Sequence, residues 1–443
     1  MRPVTVRIER LVPGGRGLAR LPDGRVCFVE GVLPGERVAV RPRRAVGDWT
    51  PADLVEVHAP SPDRRPPPCP HAHACGGCPL SHAREAAQPG LKAEMISDAL
   101  RRIGGIPPDA LAAFHPAPEP LGWRHRVRLQ VSETGATGFF RRGSHQVHPV
   151  EACRLAIPAV QGAQRRLSAL AAWRRLARIC RSVEIVGDPA DPYGAPCHLV
   201  LRGRGRARPR RRDLEALSAE GGFRGVVWLP GGPAPALSAG APTCSWPYRE
   251  IPGVPAPFEI LASPACFTQV NWPMNLVLVR RLVKVIRRAG ARTVLDLYSG
   301  IGNFSLPLAT AGLRVQGVET DPAAVAAARE AARRLGLDPR AAFRCARAED
   351  VAREPLEPPP DVLLLDPPRR GAGEILPALA RGRPRLVAYV SCDPATLARD
   401  LRRLLAEGYA LGRVEGFDLF PQTAHAECLA ILYRDGAEDA PTA

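Results

Sequence analysis

Two groupings of thiols stand out among the twelve cysteines of this 443-residue chain. The first is Cys69, Cys75 and Cys78, three thiols within ten residues, the last two flanking a Gly-Gly turn that lets them face one centre. The second is one residue, Cys392, in Ser391-Cys392-Asp393-Pro394, directly after the apolar run Leu386 to Val390. A cysteine at the carboxyl end of a strand, with a helix starting near Ala395, lies where open α/β sheets bind their ligands. That helix N-terminus and nearby arginines are expected to lower its pKa and raise the thiolate fraction. The competing reading is a buried structural cysteine. A thiolate so placed attacks an electron-poor carbon, and releasing it again requires a base. Thr423-Ala424-His425-Ala426-Glu427-Cys428 offers two: Glu427, at the start of an apolar strand, and His425. Glu427 is preferred, because burial at a strand start raises a carboxyl pKa toward a useful value.

These residues must be held by something, and from about residue 264 the pattern is regular. A helix is expected at 270–288, then a strand at 293–297, a glycine turn, a helix, the strand Val315 to Glu319 and an Ala-rich helix. Strands alternating with helices of this length predict a mostly parallel, doubly wound α/β sheet. The turn Tyr298-Ser299-Gly300-Ile301-Gly302-Asn303 opens a helix, so backbone there approaches a ligand closely; Gly300 and Asn303 are candidate contacts. Glu319 ends the next strand, 23 residues after Asp296, where a carboxylate accepts hydrogen bonds from both ribose hydroxyls of an adenosine. A dinucleotide site normally adds a third glycine, which is absent. S-adenosylmethionine is therefore preferred to NAD as the cofactor, and a plain surface carboxylate is the bland alternative for Glu319.

The fourth strand delivers Asp366-Pro367-Pro368-Arg369-Arg370-Gly371. Enzymes that methylate exocyclic amines place an aromatic residue after such a turn to stack on the base; here Arg369 stands there. Carbon 5 of uracil is a different problem, because it is a poor nucleophile until a thiolate adds at carbon 6 and converts the ring to an enolate. That chemistry needs a thiol and a base, which Cys392 and Glu427 supply.

At this point the chain resembles the RNA uracil-5-methyltransferase family, whose tRNA and 23S rRNA members share one catalytic domain. The Asp-Pro-Pro-Arg turn, the Ser-Cys-Asp-Pro motif and Thr-x-His-x-Glu occur here in the family's order. The resemblance implies that Cys392 is the nucleophile and Glu427 the proton acceptor. Phe267-Thr268-Gln269-Val270-Asn271 is similar to the family's Phe-x-Gln-x-Asn, which assigns Gln269 to the cofactor; Tyr298, Glu319 and Asp366 fall on its other cofactor-contacting positions. One departure is Arg347-Ala348-Glu349-Asp350, which offers no clear equivalent of a further polar contact.

Cys69, Cys75 and Cys78 contain only one short-spaced couple, where structural zinc sites usually have two; a four-iron, four-sulfur (4Fe–4S) cluster accepts three clustered thiolates and a distant one. Cys153, Cys180 and Cys197 all qualify as the fourth by spacing. Resemblance to the rRNA-type members, in which a Gly-Phe-x-Arg-x-x-Ser-His run precedes a cysteine, points to Cys153, after Gly138 to His145. The tRNA-type members typically lack this cluster, so rRNA is the expected substrate and tRNA the runner-up. Residues 1–58 alternate apolar and polar positions between turns, predicting a small antiparallel barrel that resembles an RNA-binding TRAM domain. Its run Arg41-Pro42-Arg43-Arg44 is a candidate phosphate contact, with mere solubilisation as the alternative.

The expected organisation is thus the TRAM/OB-like barrel at 1–58, a Pro-rich linker at 59–70, a central α+β domain with the iron–sulfur cysteines at 69–260, and a Rossmann-like methyltransferase domain at 264–435. The central segment is expected to carry a helix at 88–104 and strands at 122–132 and 136–150; its tract Arg202 to Arg212 reads as a solvated loop or an RNA contact. The last eight residues read as a disordered tail. Sixty-one Lys and Arg against 44 Asp and Glu leave +17, which favours a polyanionic partner, and RNA above others. No apolar run approaches the roughly 18 residues of a membrane span and no signal peptide opens the chain, so a cytoplasmic monomer with reduced thiols is expected. Two other classes remain to be excluded: a non-catalytic iron–sulfur RNA-binding factor, and a DNA cytosine-5 methyltransferase. The latter carries its cysteine after a proline following the fourth strand, where Pro367-Pro368 has none.

Overall fold

The computed structural model describes residues 2–232 and 234–435, so the eight-residue tail lies outside the described residues. Its strands form sheets of six, seven and eight, with one separate two-stranded ribbon. The six-stranded sheet takes up Val4–Arg7 through Trp49–Ala59 and buries alternate apolar residues such as Val6, Ile8, Val38 and Val40. Its pairs are antiparallel except Val26–Val29 with Trp49–Ala59, which run parallel. The Pro-rich stretch after it is not a free linker. Glu36, fully buried, accepts from Ser61 N and forms an ion pair with Arg64 at 2.5 Å, fastening that stretch to the barrel.

The seven-stranded sheet runs from Arg126–Val131 to Leu237–Gly240. Helices Pro158–Ala169, Ala171–Ala177 and Arg211–Ala219 cover it, packing Val160, Trp173 and Leu214 on Leu129, Ile185 and Leu199. The expected strand at 136–150 is broken into Thr137–Phe140 and Val147–Pro149, because Arg141 to Gln146 turn back on themselves. In the arginine tract, Arg204 donates to the carbonyls of Cys180 and Val131 and ties the sheet together, whereas Arg206, Arg208 and Arg210 to Arg212 are exposed.

The eight-stranded sheet positions the site. Its order is Ala341–Cys345, Arg314–Glu319, Thr293–Leu297, Val362–Leu365, Leu386–Ser391, Glu427–Arg434, Tyr409–Phe417, Leu111–His115. The first five are parallel, and Glu427–Arg434 inserts antiparallel between its neighbours. Strand order reverses beside Thr293–Leu297, so a crevice opens at the carboxyl ends of that strand and Val362–Leu365. The helix Trp272–Arg288 starts under an Asn271 cap that accepts from Met274 N at 3.3 Å, and buries Leu278, Leu282 and Ile286 at helical spacing.

One strand of this sheet comes from the central segment. Leu111–His115 pairs parallel with Tyr409–Phe417, and the preceding helix Gln88–Ala99 with its wider last turn Leu100–Gly104 buries Ile96 and Leu100 among Tyr389, Leu397 and Leu401. A small apolar cluster of Leu11, Leu80, Met95 and Ala424 joins barrel, cysteine segment, helix and catalytic sheet. No helix among the described residues is long and apolar enough to cross a membrane.

Candidate active site

Tyr298, Asp366 and Cys392 directly follow three adjacent strands, in which Leu297 pairs with Leu365 and Leu365 with Tyr389, two residues before the third strand ends at Ser391. Glu427 enters the same edge from the other direction: it opens its strand opposite Phe417, next to the pair Ser391–Cys428. Four sequence-predicted residues are therefore neighbours because consecutive strands end within two residues of one level.

The thiol of Cys392 is half-buried, and its surroundings reverse the expected pKa. Burial pushes it up to about 12, the charges of Glu427, Asp366 and Asp393 add to that, and Arg369 alone opposes them. The helix that follows does not compensate, because Asp393 caps it, accepting from Thr396 N at 2.8 Å, and so sets a carboxylate between the helix N-terminus and the sulfur. In the resting site Cys392 is a protonated thiol.

Glu427 is 1% exposed, and burial together with the neighbouring Asp366 raises its pKa well above the usual carboxyl value. Asp366, half-buried, is raised to about 7 by loss of solvent. Two carboxyl groups sharing a poorly solvated space cannot both ionise easily, so the pair holds at least one proton near neutrality. His425 is a weaker base: burial and Arg369 push its pKa down to about 4, and its Nε2 lies 3.2 Å from the Arg369 guanidinium.

The glycine turn is shaped for a ligand. Tyr298, Gly300 and Gly302 have φ of 67°, 56° and 90°. A Cβ on Gly302 would come within 2.8 Å of Leu306, whereas one on Gly300 would meet open space. Gly300 N donates to Glu319 Oε2 at 3.1 Å, and Glu319 Oε1 accepts from Thr320 N and Asp321 N, so its carboxylate is fixed over the turn. Beneath lies Asp296, fully buried, whose Oδ2 accepts from Ser305 Oγ at 2.5 Å while its Oδ1 has no partner. Burial raises its pKa to about 8. The open space at Gly300 and the fixed Glu319 suit an adenosine; Gln269, 7% exposed, lies one residue before Val270, whose carbonyl accepts from His125 N.

The side chain of Asn303 is engaged within the protein. Its Oδ1 accepts from Tyr248 Oη at 2.9 Å and Asn275 Nδ2 at 2.8 Å, and its Nδ2 donates to Asn275 Oδ1 at 3.0 Å. That side chain ties the turn to the helix Trp272–Arg288, leaving only backbone for a ligand. Of the run 347–350, Glu349 is the residue turned to the site: it pairs with Arg370 at 2.8 Å and its charge reaches Tyr298.

The other thiols also gather. Cys69, Cys75, Cys78 and Cys153 are free and half-buried, and Cys75, Cys78 and Cys153 each feel the charge of one or more other thiols of the set. Cys180 and Cys197, the alternatives for the fourth position, are sealed in the core of the central sheet. Among the described residues no three His, Cys, Asp or Glu side chains converge as ligands of a single metal ion. The loop between Cys75 and Cys78 borders a cleft of about 570 Å³ whose walls include Gly15, Arg124, Phe140 and Arg142, and whose floor reaches Arg369 and His425. Arg142 also lines a second cleft of about 700 Å³ against Arg16 and Phe28 of the barrel, and pairs with Glu30 at 3.5 Å. Arg43 of the expected phosphate-binding run is already paired with Asp53.

Sequence reasoning missed Lys92 and Gln88, which hold the turn before Glu427. Their signal was present: both lie on the helix stripe shared with Met95, Ile96 and Ala99, where a polar residue must find a buried partner.

Residues 259–352 and 359–435 match the tRNA (Uracil-5-)-methyltransferase family, and residues 2–41 match the TRAM domain. The 23S rRNA (uracil(1939)-C(5))-methyltransferase RlmD of Acidithiobacillus ferrooxidans is 36% identical, over 98% of each chain. That of Pseudomonas putida is 33% identical over 96% of this chain and 92% of the relative. Among solved structures, the Pyrococcus abyssi tRNA (uracil-54, C5)-methyltransferase in complex with S-adenosyl-L-homocysteine superposes with a TM-score of 0.73 at 22% identity, over 96% of this chain and 100% of the other, and shares its fold.

Proposed function

Because the chain belongs to the RNA uracil-5-methyltransferase family, we propose that it methylates carbon 5 of a uridine in 23S rRNA through a covalent adduct with Cys392. The observation that carries this reading is the convergence of one thiol and two carboxyl groups of raised pKa, Glu427 and Asp366, beside an adenosine-shaped glycine turn. The choice of 23S rRNA rests on the full-length relatives.

When bound, S-adenosylmethionine supplies an electrophilic methyl group and a positive sulfonium. Gly300 leaves room for it, Glu319 accepts from its ribose hydroxyls, and Gln269, Tyr298 and Asp366 complete its contacts; Asn303 contributes backbone only. Cys392 releases its proton to solvent through the cleft as its sulfur bonds to carbon 6 of uracil, moving the C5–C6 electron pair toward O4, so the carboxyl pair keeps one ionised group for the later proton transfer. Carbon 5 then takes the methyl group. Glu427 removes the carbon-5 proton, the double bond re-forms, and the carbon–sulfur bond breaks, returning the thiolate. The target base must leave its stack to reach Cys392, so an unpaired or refolded nucleotide is the substrate.

Cys392→Ala should bind cofactor normally yet incorporate no labelled methyl into 23S rRNA fragments. Glu427→Gln should accumulate an RNA–protein adduct that survives denaturing gels. Wild-type turnover by Cys392→Ala would overturn the reading.

For Cys69, Cys75, Cys78 and Cys153 we infer a 4Fe–4S cluster. Four mutually influencing free thiols support it, with Gly77 N donating to Cys75 Sγ at 3.4 Å, a hydrogen bond of the kind that steadies a sulfur ligand. Such a group supplies a rigid cross-link between the loop 69–78 and the central sheet. Anaerobically purified protein should absorb near 400 nm and contain iron, and Cys75→Ser should abolish both; zinc with no such band would replace this assignment.

A further inference from the structure

The turn from Asp418 to Ala426 joins Phe417 to Glu427 and presents Thr423 and His425 to the cleft. Its shape is fixed by residues far away in sequence. Lys92 is fully buried with its Nζ 2.6 Å from Asp418 Oδ1, and it also donates to the carbonyl of Phe420 at 2.9 Å. Gln88, 2% exposed, accepts from Gln422 N at 2.8 Å and donates to Gln422 Oε1 at 3.1 Å. Arg65 donates to that same oxygen, and Leu80 N donates to the Gln422 carbonyl.

Gln422 itself has φ of 69°, a left-handed conformation that a non-glycine residue keeps only where its surroundings over-determine it. A buried ion pair adds little stability over apolar packing of the same volume. Six polar contacts directed at one strained turn therefore specify geometry rather than stability.

We propose that Lys92 and Gln88 are positioning residues for methyl transfer, holding the 418–426 turn so that Glu427 faces the carbon-5 proton of the base that Cys392 has attacked. This rests on the adduct chemistry proposed above. Cys392 is anchored by a different strand and cap, so attack and proton removal are held by separate parts of the molecule. Loosening the turn slows the second step more than the first.

The test compares wild type with Lys92→Met/Asp418→Asn, a neutral pair that leaves no lone buried charge, and with Gln88→Ala, which keeps the ion pair. Cofactor affinity should stay within about twofold while the single-turnover rate at which free methylated RNA is released from the adduct drops about tenfold or more, as for small misplacements of reacting groups. The fraction of RNA trapped as adduct during turnover should rise in the double variant, and in the same direction by less in Gln88→Ala. Wild-type rate and adduct fraction in both variants would overturn the proposal, as would equal loss of adduct and product. If the double variant does not fold, Gln88→Ala, checked by circular dichroism, decides alone. A wild-type enzyme that forms methyluridine without any adduct would instead overturn the chemistry on which the proposal stands.

Discussion

At Cys392 loss of solvent raises the thiol pKa most, and the neighbouring carboxyl groups add to it against the Arg369 guanidinium. A thiol held neutral in the resting enzyme is protected from oxidation and stray alkylation, because only the thiolate is reactive. The positive sulfonium of a bound cofactor offsets the carboxyl field, so reactivity of the sulfur is tied to occupancy of the neighbouring site. Asp296 shows the same tension as stability. Its folded pKa of about 8 lies above the 3.8 of an exposed carboxyl. Its contribution is thus fully present below 3.8 and is lost as pH rises through about 8. Asp296→Asn, which stays neutral, should unfold at the wild-type temperature near pH 4 and a few degrees above it at pH 8, by calorimetry. Equal shifts at both pH values would show that Asp296 is ionised in the folded protein.

At the scale of elements, the two glycines of the cofactor turn have different tasks. Gly302→Ala drives a methyl into Leu306 from a backbone at φ 90°, so it should cost about 2 kcal/mol of stability. Gly300→Ala meets no protein atom; it should cost about 1 kcal/mol from its φ of 56° but weaken cofactor binding more than Gly302→Ala does, measured by calorimetry on both. The parallel strands and this turn were legible in the sequence because apolar runs of strand length ended at glycine and Asp-Pro signals. The strand 293–297 is found with the expected bounds. Asn303 and the pKa of Cys392 were not legible, since both depend on residues distant in sequence: Tyr248 and Asn275 for one, Glu427 and Asp366 for the other. The strand Leu111–His115 was read as part of the central segment for the same reason. Nothing local announces that its partner is Tyr409–Phe417.

At the scale of the molecule, four arginines, Arg124, Arg141, Arg142 and Arg369, line the cleft where barrel, cysteine loop, central sheet and catalytic turn meet. Gly15 of the barrel lies so close to the catalytic turn that a Cβ on it would reach within 2.8 Å of Ala424. Arg142 stands between the two clefts and is held by an exposed pair with Glu30. A phosphate competes well for that guanidinium, because exposed pairs are worth little. Arg142→Ala should weaken RNA binding and reduce the slope of log affinity against log salt by about one. An unchanged slope in filter binding would remove Arg142 from the RNA path.

The strand Leu111–His115 carries a last consequence, for the order in which the enzyme is made. His115 pairs with Glu415, 300 residues later in the chain. During synthesis at about 5–20 residues per second, that edge therefore waits tens of seconds for its partner. Over the same interval Cys392 leaves the ribosome before Glu427 does, and the strand that carries Glu427 is the one that wedges between the two already formed. Until the final hairpin closes, a nascent chain thus presents an exposed strand edge that is a natural client for chaperones.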